Sequence, residues 1–215
     1  PIPHPPLNGS ESAMPAEFRP LNVEGAFAFT PKVFPDERGL FVSPYQEEAF
    51  EEAVGHRLFH VAQTNHSLSS RGVVRGVHYT TTPPGVAKYV YCPRGRALDI
   101  IVDIRVGSPT FGQWDAVELD PASFRTMYFP VGVGHAFVAL EDDTVMSYMI
   151  SGTYVAEHEL ALSPLDPALG LPIPDDITPL LSERDGAALT LEQAREQGLL
   201  PDYAESRRIE ATLHG

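Results

Sequence analysis

The chain has 215 residues, enough for one domain of roughly 100–200 residues with or without a tail, and enough to bury a core without disulfides or a structural metal. Its 29 acidic and 15 basic side chains give a formal charge of −14, which excludes nucleic acid and acidic membrane surfaces as bulk partners because those demand a basic face. Apolar runs stay under ten residues, too short to span a bilayer, and the single cysteine, Cys92, fits a reducing, cytoplasmic setting.

In chain order, residues 1–25 are expected to be a leader. Within it, residues 1–13 are rich in Pro, Ser and Gly and lack a basic or apolar stretch, the composition of a disordered or added segment and not of a signal peptide. Proline is 21 of 215, about twice its usual ~5% share, which favours short strands and turns over long helices. Short β-branched or aromatic runs then recur at the spacing of an all-β sandwich or barrel: 27–34, 40–45, 59–67, 73–79, 87–92, 97–104, 113–119, 126–129, 135–140 and 144–150. Turn chemistry separates them at Asp36–Gly39, Pro83–Gly85, Pro93–Gly95, Gly107–Pro109 and Glu141–Asp143. Helical spacing appears at 46–54 and 191–199, the second capped by Thr190. The expected organisation is an antiparallel barrel over 26–165 and a wrapping segment with helices over 166–215.

Charge is unevenly spread. From Arg38 to Arg105, eight Lys and Arg face six acids, a net +2 in an acidic chain, which charge alone leaves open as either a chance fluctuation over a solvated surface or a footing for a small anion. Two glycine-punctuated segments place histidines at strand ends: Arg75-Gly-Val-His78-Tyr79 and Pro130-Val-Gly-Val-Gly-His135. Between them Lys88 sits amid Val86, Ala87, Tyr89 and Val90. Strand alternation puts it on one face with Val86 and Val90. A lysine facing a core is costly unless paired or used.

The second segment has the Pro-x-Gly-x-x-His pattern of the second cupin motif. At the position of the first motif's metal-ligating Glu, seven residues before Gly95, stands Lys88. An ammonium there opposes metal binding, so no metal is expected. The ordered set Phe34-Pro-Asp-Glu-Arg38-Gly-Leu-Phe41, Gln63-Thr-Asn65-His-Ser67, Arg75–Tyr79, Lys88, Asp103–Gly112, Pro130–His135 and Tyr148 resembles the dTDP-4-dehydrorhamnose 3,5-epimerase family over roughly residues 26–185, and most of all its antibiotic-deoxysugar branch.

That resemblance implies a cupin jelly-roll barrel and epimerisation of a dTDP-4-keto-6-deoxyhexose at C5, with or without C3, without cofactor. His78 would be the base, oriented by Asp166; Lys88 would stabilise the enolate oxygen and Tyr148 would be the acid. Arg75 and Arg38 would clamp the diphosphate. Phe34, Arg38 and Phe41 would reach a neighbour's pocket in a strand-exchanged homodimer, while Gln63, Asn65 and His135 would face the substrate. Plainer roles stay open, among them core for Phe34 and Phe41 and turn formation for Asp166 before Pro167. Ser43 and Thr80 depart from the family's usual Glu and Gln, which bears on base or sugar recognition. The other readings are a C3-only monoepimerase, a cupin dTDP-sugar 3,4-ketoisomerase, a metal cupin and a non-catalytic nucleotide-sugar module.

Overall fold

The computed structural model describes residues 16–214; the leader expectation for residues 1–13 lies outside them. Thirteen strands and a few short helices occur among these residues. Six strands form one antiparallel sheet in the order β1 (Glu17–Pro20), β2 (Phe27–Thr30), β10 (Thr126–Phe129), β7 (Lys88–Arg94), β12 (Thr144–Ile150) and β5 (Gln63–Ser69). Five form the facing sheet in the order β13 (Glu159–Ala161), β6 (Val74–Thr80), β11 (Gly134–Ala139), β8 (Ala97–Val102) and β9 (Trp114–Leu119). β3 (Val33–Asp36) and β4 (Gly39–Val42) pair only with each other, as a hairpin. The all-β expectation holds.

Two boundaries differ from the sequence reading. β1 pairs with β2 from Glu17 to Pro20, so the barrel begins inside the segment read as a leader. The run 27–34 divides at Pro31-Lys32 into β2 and β3, because a proline cannot donate to a continuing ladder.

Period-2 alternation explains how three apolar clusters sort about two sheets. Val90, Ile101, Met127, Phe137 and Met146 point between the sheets. On the outer face of the five-stranded sheet, Val77, Ile100, Val102 and Val138 are covered by the C-terminal wrap through Leu162, Leu169, Ile177 and Ala194. On the outer face of the six-stranded sheet, Phe29, Tyr89 and Tyr128 pack against Phe50 of helix α1 (Glu47–Val54). Three further helices follow in the wrap: α2 (Glu183–Gly186), α3 (Leu191–Glu196) and α4 (Tyr203–Thr212). Thr190 caps α3 in a reciprocal box with Gln193.

The Asp103–Thr110 stretch of the resemblance is architectural. Asp103 and Arg105 are fully buried and paired at 2.9 Å, with Ser108 and Thr110 hydroxyls also donating to Asp103. Burial opposes the Asp103 charge, yet these donors hold its carboxyl below the ordinary range.

Candidate active site

A cavity of about 220 Å³ opens between the sheets. Its walls include Asn65 and Ser67 of β5, Arg75 and His78 of β6, Lys88 of β7, His135 and Phe137 of β11, Tyr148 of β12 and Glu159 of β13. Alternation delivers them. On β6, Val77 and Tyr79 turn to the outer cluster, so His78 between them turns inward. On β8, Ile100 and Val102 turn outward, so Asp99 and Ile101 turn inward. β6 and β11 approach so closely that a Cβ on Gly76, at φ +118, would lie 2.4 Å from the His135 carbonyl oxygen. Only glycine fits there, and that contact sets His78 beside its cross-strand partner His135.

His78 Nε2 lies 2.7 Å from Asp185 Oδ1, and the Gly76 N–H donates to Asp185 Oδ2 at 3.1 Å. Because the carboxylate accepts, Nε2 carries the proton and Nδ1 keeps the lone pair. Asp185 is buried, which favours its neutral form, but the bonds from His78 and Gly76 outweigh burial and hold its carboxyl below the ordinary 3.8. Lys88 pairs across the sheet with Phe129 and Ile150. Burial pulls its ammonium below the ordinary 10.5, and the charges of Glu159 and Asp99 only partly offset this. Tyr148 has Ser67 Oγ 3.4 Å from its hydroxyl; burial raises its phenol well above 10. His135 Nε2 donates to Asp99 Oδ1 at 2.5 Å, and its ring meets Tyr148 edge-on with centroids 5.9 Å apart. Burial raises Asp99 despite the opposing charges of His135 and Lys88. Thr80 donates to Glu159 at 2.9 Å, tying one family departure to the cavity wall.

Of the residues expected in the site, His78, Lys88, Tyr148, Asn65, Arg75 and His135 all line this cavity. Arg75 is held at its mouth by Ser69 Oγ and the Leu68 carbonyl. Gln63 stands behind Asn65, donating to its Oδ1 at 2.8 Å and accepting from Tyr154 N. Asp166 is a correction. It is buried but accepts from the backbone N–H groups of Ala168 and Leu191, each at 2.9 Å, so it shapes a turn, and the carboxylate on His78 is Asp185. Phe34, Arg38 and Phe41 sit on the β3–β4 hairpin and do not line the cavity; Arg38 pairs with Asp36 on an exposed tip. The cationic window narrows as well: of its eight Lys and Arg, Arg75 and Lys88 line the cavity, whereas Arg57, Arg71, Arg94, Arg96 and Arg105 are paired with acids elsewhere.

Sequence reasoning missed Asp185, Asp99 and Glu159. Asp99 carried a readable signal, an acid amid the apolar Leu98, Ile100 and Ile101, the same argument that singles out Lys88.

A barrel whose interior pocket gathers imidazole, ammonium and phenol has the fold and acid–base set that suit a cupin-type isomerase. The chain matches the family dTDP-4-dehydrorhamnose 3,5-epimerase over residues 20–193. It is 48% identical over 191 residues to a dTDP-4-dehydrorhamnose 3-epimerase of Streptomyces niveus, covering 89% of this chain and 91% of that one. It resembles NovW, a 4-keto-6-deoxy sugar epimerase from the novobiocin biosynthetic gene cluster of Streptomyces spheroides, with TM-score 0.85 and 47% identity over 89% of this chain and 95% of that one. It also resembles ChmJ, a 3'-monoepimerase from Streptomyces bikiniensis in complex with dTDP-quinovose, with TM-score 0.85 and 45% identity over 91% and 98% of the two chains. The protein belongs to the dTDP-4-dehydrorhamnose 3,5-epimerase family and is an epimerase.

Proposed function

We propose that this epimerase inverts C5, with or without C3, of a dTDP-4-keto-6-deoxyhexose during deoxysugar biosynthesis for antibiotic decoration. One observation carries the reading: His78, backed by Asp185, a partly desolvated ammonium and a protonated phenol meet at one cavity.

The C4 carbonyl acidifies the C–H bonds at C3 and C5. His78 Nδ1 takes one of these protons, and Asp185 stabilises the imidazolium that forms. The electron pair moves onto the carbonyl oxygen, where Lys88 offsets the developing charge. Tyr148 then delivers its phenolic proton to the opposite face, which inverts the carbon. The imidazolium proton leaves to solvent, and the tyrosinate takes one up. The substrate's own ketone is the electron sink, so the reaction calls for no cofactor or metal. The raised phenol of Tyr148 supports this assignment, since it is protonated at neutral pH.

Arg75 at the cavity mouth is suited to the diphosphate. The remaining clamp comes from a second copy of the chain: the β3–β4 hairpin leaves Phe34, Leu40 and Phe41 at 47%, 50% and 69% exposure, apolar area that calls for a partner. A strand-exchanged homodimer would bring Phe34, Arg38 and Phe41 to the neighbour's pocket. Among the described residues no helix is long and apolar enough to cross a membrane, and a cytoplasmic enzyme fits the lone buried Cys92.

Inversion at C3 alone is a second reading, favoured by the 3-epimerase and 3'-monoepimerase among the relatives. Product NMR after incubation with dTDP-4-keto-6-deoxyglucose separates the cases. Inverted C5 supports the proposal, inverted C3 alone supports the second reading, and a ketone moved to C3 overturns both.

A further inference from the structure

A second pocket, of about 380 Å³, lies on the outer face of the six-stranded sheet and shares no lining residue with the catalytic cavity. His56 after α1, Glu210 of α4 and His214 just beyond α4 converge there, with one donor atom from each inside a 4.8 Å span.

Each group is prepared differently. Glu210 is 8% exposed; its Oε1 accepts from the Tyr128 hydroxyl and its Oε2 from the Val131 N–H at 2.8 Å. His56 Nδ1 lies 2.8 Å from the Arg57 carbonyl. A carbonyl only accepts, so Nδ1 carries the proton and Nε2 is left with a lone pair. That backbone hydrogen bond is the outer-shell device that fixes a ligating imidazole. The His214 side chain is nine-tenths buried, and among the described residues neither of its ring nitrogens has a hydrogen-bond partner. Its Nε2 stands 3.6 Å from Glu210 Oε1, too far for a hydrogen bond. The two imidazoles stack with centroids 3.4 Å apart.

Buried, unmet ring nitrogens are costly, and stacking one imidazole on another satisfies neither. With the two rings turned off their stack, a shared cation would engage one nitrogen of His214, the free lone pair of His56 and the second lone pair of Glu210 Oε1 together. Arg207 is the opposing charge in this pocket, but it pairs with Glu24 at 2.7 Å. Glu24 and Glu210 against Arg207 leave the pocket one unit negative.

We propose that His56, Glu210 and His214 form a structural site for a divalent transition metal, which fastens α4 to the loop after α1. Two imidazoles and one carboxylate are the donor set of zinc, and a water completes the tetrahedron. This site takes no part in epimerisation.

The test uses the chelator-stripped full chain, titrated with zinc chloride by calorimetry and followed by thermal melting, beside His56→Gln and His214→Gln. The wild type is expected to take up one zinc per chain that excess magnesium, an oxygen-preferring cation, does not displace. At zinc a hundredfold above the dissociation constant, its Tm is expected to rise by about 5–10 °C. Each variant is expected to bind at least about tenfold more weakly, a loss that even outer-shell partners of a metal site command, and to lose the Tm rise while keeping epimerase activity. Both variants can be checked for folding by that activity. No zinc uptake by the wild type, or equal uptake by all three proteins, overturns the proposal.

Discussion

Replacing Asp185 by Asn separates the His78 partner found in the structure from the one the sequence pointed to. The carboxylate uses both oxygens, one for His78 Nε2 at 2.7 Å and one for the Gly76 N–H at 3.1 Å. An asparagine keeps a single acceptor. If it serves Gly76, the amide NH₂ faces Nε2, the proton shifts to Nδ1, and the base nitrogen is lost. If it serves His78, the buried Gly76 N–H faces another donor. The first arrangement is expected to lower kcat by about 10²–10⁴, the range for an acid–base group in the wrong tautomer. That equals roughly 3–5 kcal/mol of transition-state stabilisation. The lost charged hydrogen bond costs about 2 kcal/mol, or roughly 4–8 °C in Tm for a chain of this size. Asp166→Asn is expected to lower Tm comparably, because Asp166 holds the Ala168 and Leu191 N–H groups, yet to keep kcat within about twofold. Steady-state rates beside thermal melts decide the matter. A collapse of kcat in Asp166→Asn with normal rates in Asp185→Asn would refute the reasoning. The carboxyl of Asp185 is lowered from 3.8 in the folded state. It therefore stabilises the fold above that pH and loses its contribution as pH falls through the folded value. Below about pH 4 the wild type should lose part of its stability margin over Asp185→Asn.

Lys88→Met is expected to lower kcat/KM by about 10²–10³ while Tm holds or rises, since a desolvated ammonium is removed; a wild-type rate would exclude Lys88 from the enolate oxygen. Because burial lowers Lys88 from 10.5, its cation is lost at a lower pH than an exposed lysine's, so the alkaline limb of the wild-type rate profile should break below 10.5. Tyr148→Phe should still exchange substrate protons with solvent through His78 but return them to the same face. Its Tm should change by no more than about 2–4 °C, since the one contact to Ser67 is long; continued inversion at the wild-type rate would remove Tyr148 as the acid. Arg38→Ala should raise KM for the nucleotide sugar and leave Tm nearly unchanged, because its pair with Asp36 is exposed; an unchanged KM would detach the hairpin from the site.

Local alternation made the barrel strands legible and put Lys88 on one face with Val86 and Val90, the face that the structure turns inward. The same logic applied to Asp99, but its meaning depended on His135, which is 36 positions away and joined to it by the β8–β11 pairing. The choice between Asp166 and Asp185 was harder. Asp185 lies 107 positions from His78 and arrives because the C-terminal wrap docks along β6, where Leu180 bridges to Val73. No local pattern encodes that path, whereas Asp-Pro at 166–167 looks equally sound as a turn, which is what it forms. Helix α4 escaped for a related reason: its apolar contacts, Ile209 and the following Leu213, are too few to mark a face. The hairpin motif was plain in the sequence, but its proposed reach into a neighbouring copy is something no contact within one chain encodes.

The most direct test of the account incubates the enzyme with dTDP-4-keto-6-deoxyglucose in deuterated water and follows the carbons flanking the ketone by NMR. Deuterium should enter at C5, with or without C3, in the wild type, and His78→Asn should abolish that uptake while keeping a native melt. Full exchange in His78→Asn, or no exchange at C5 in the wild type, would contradict the account.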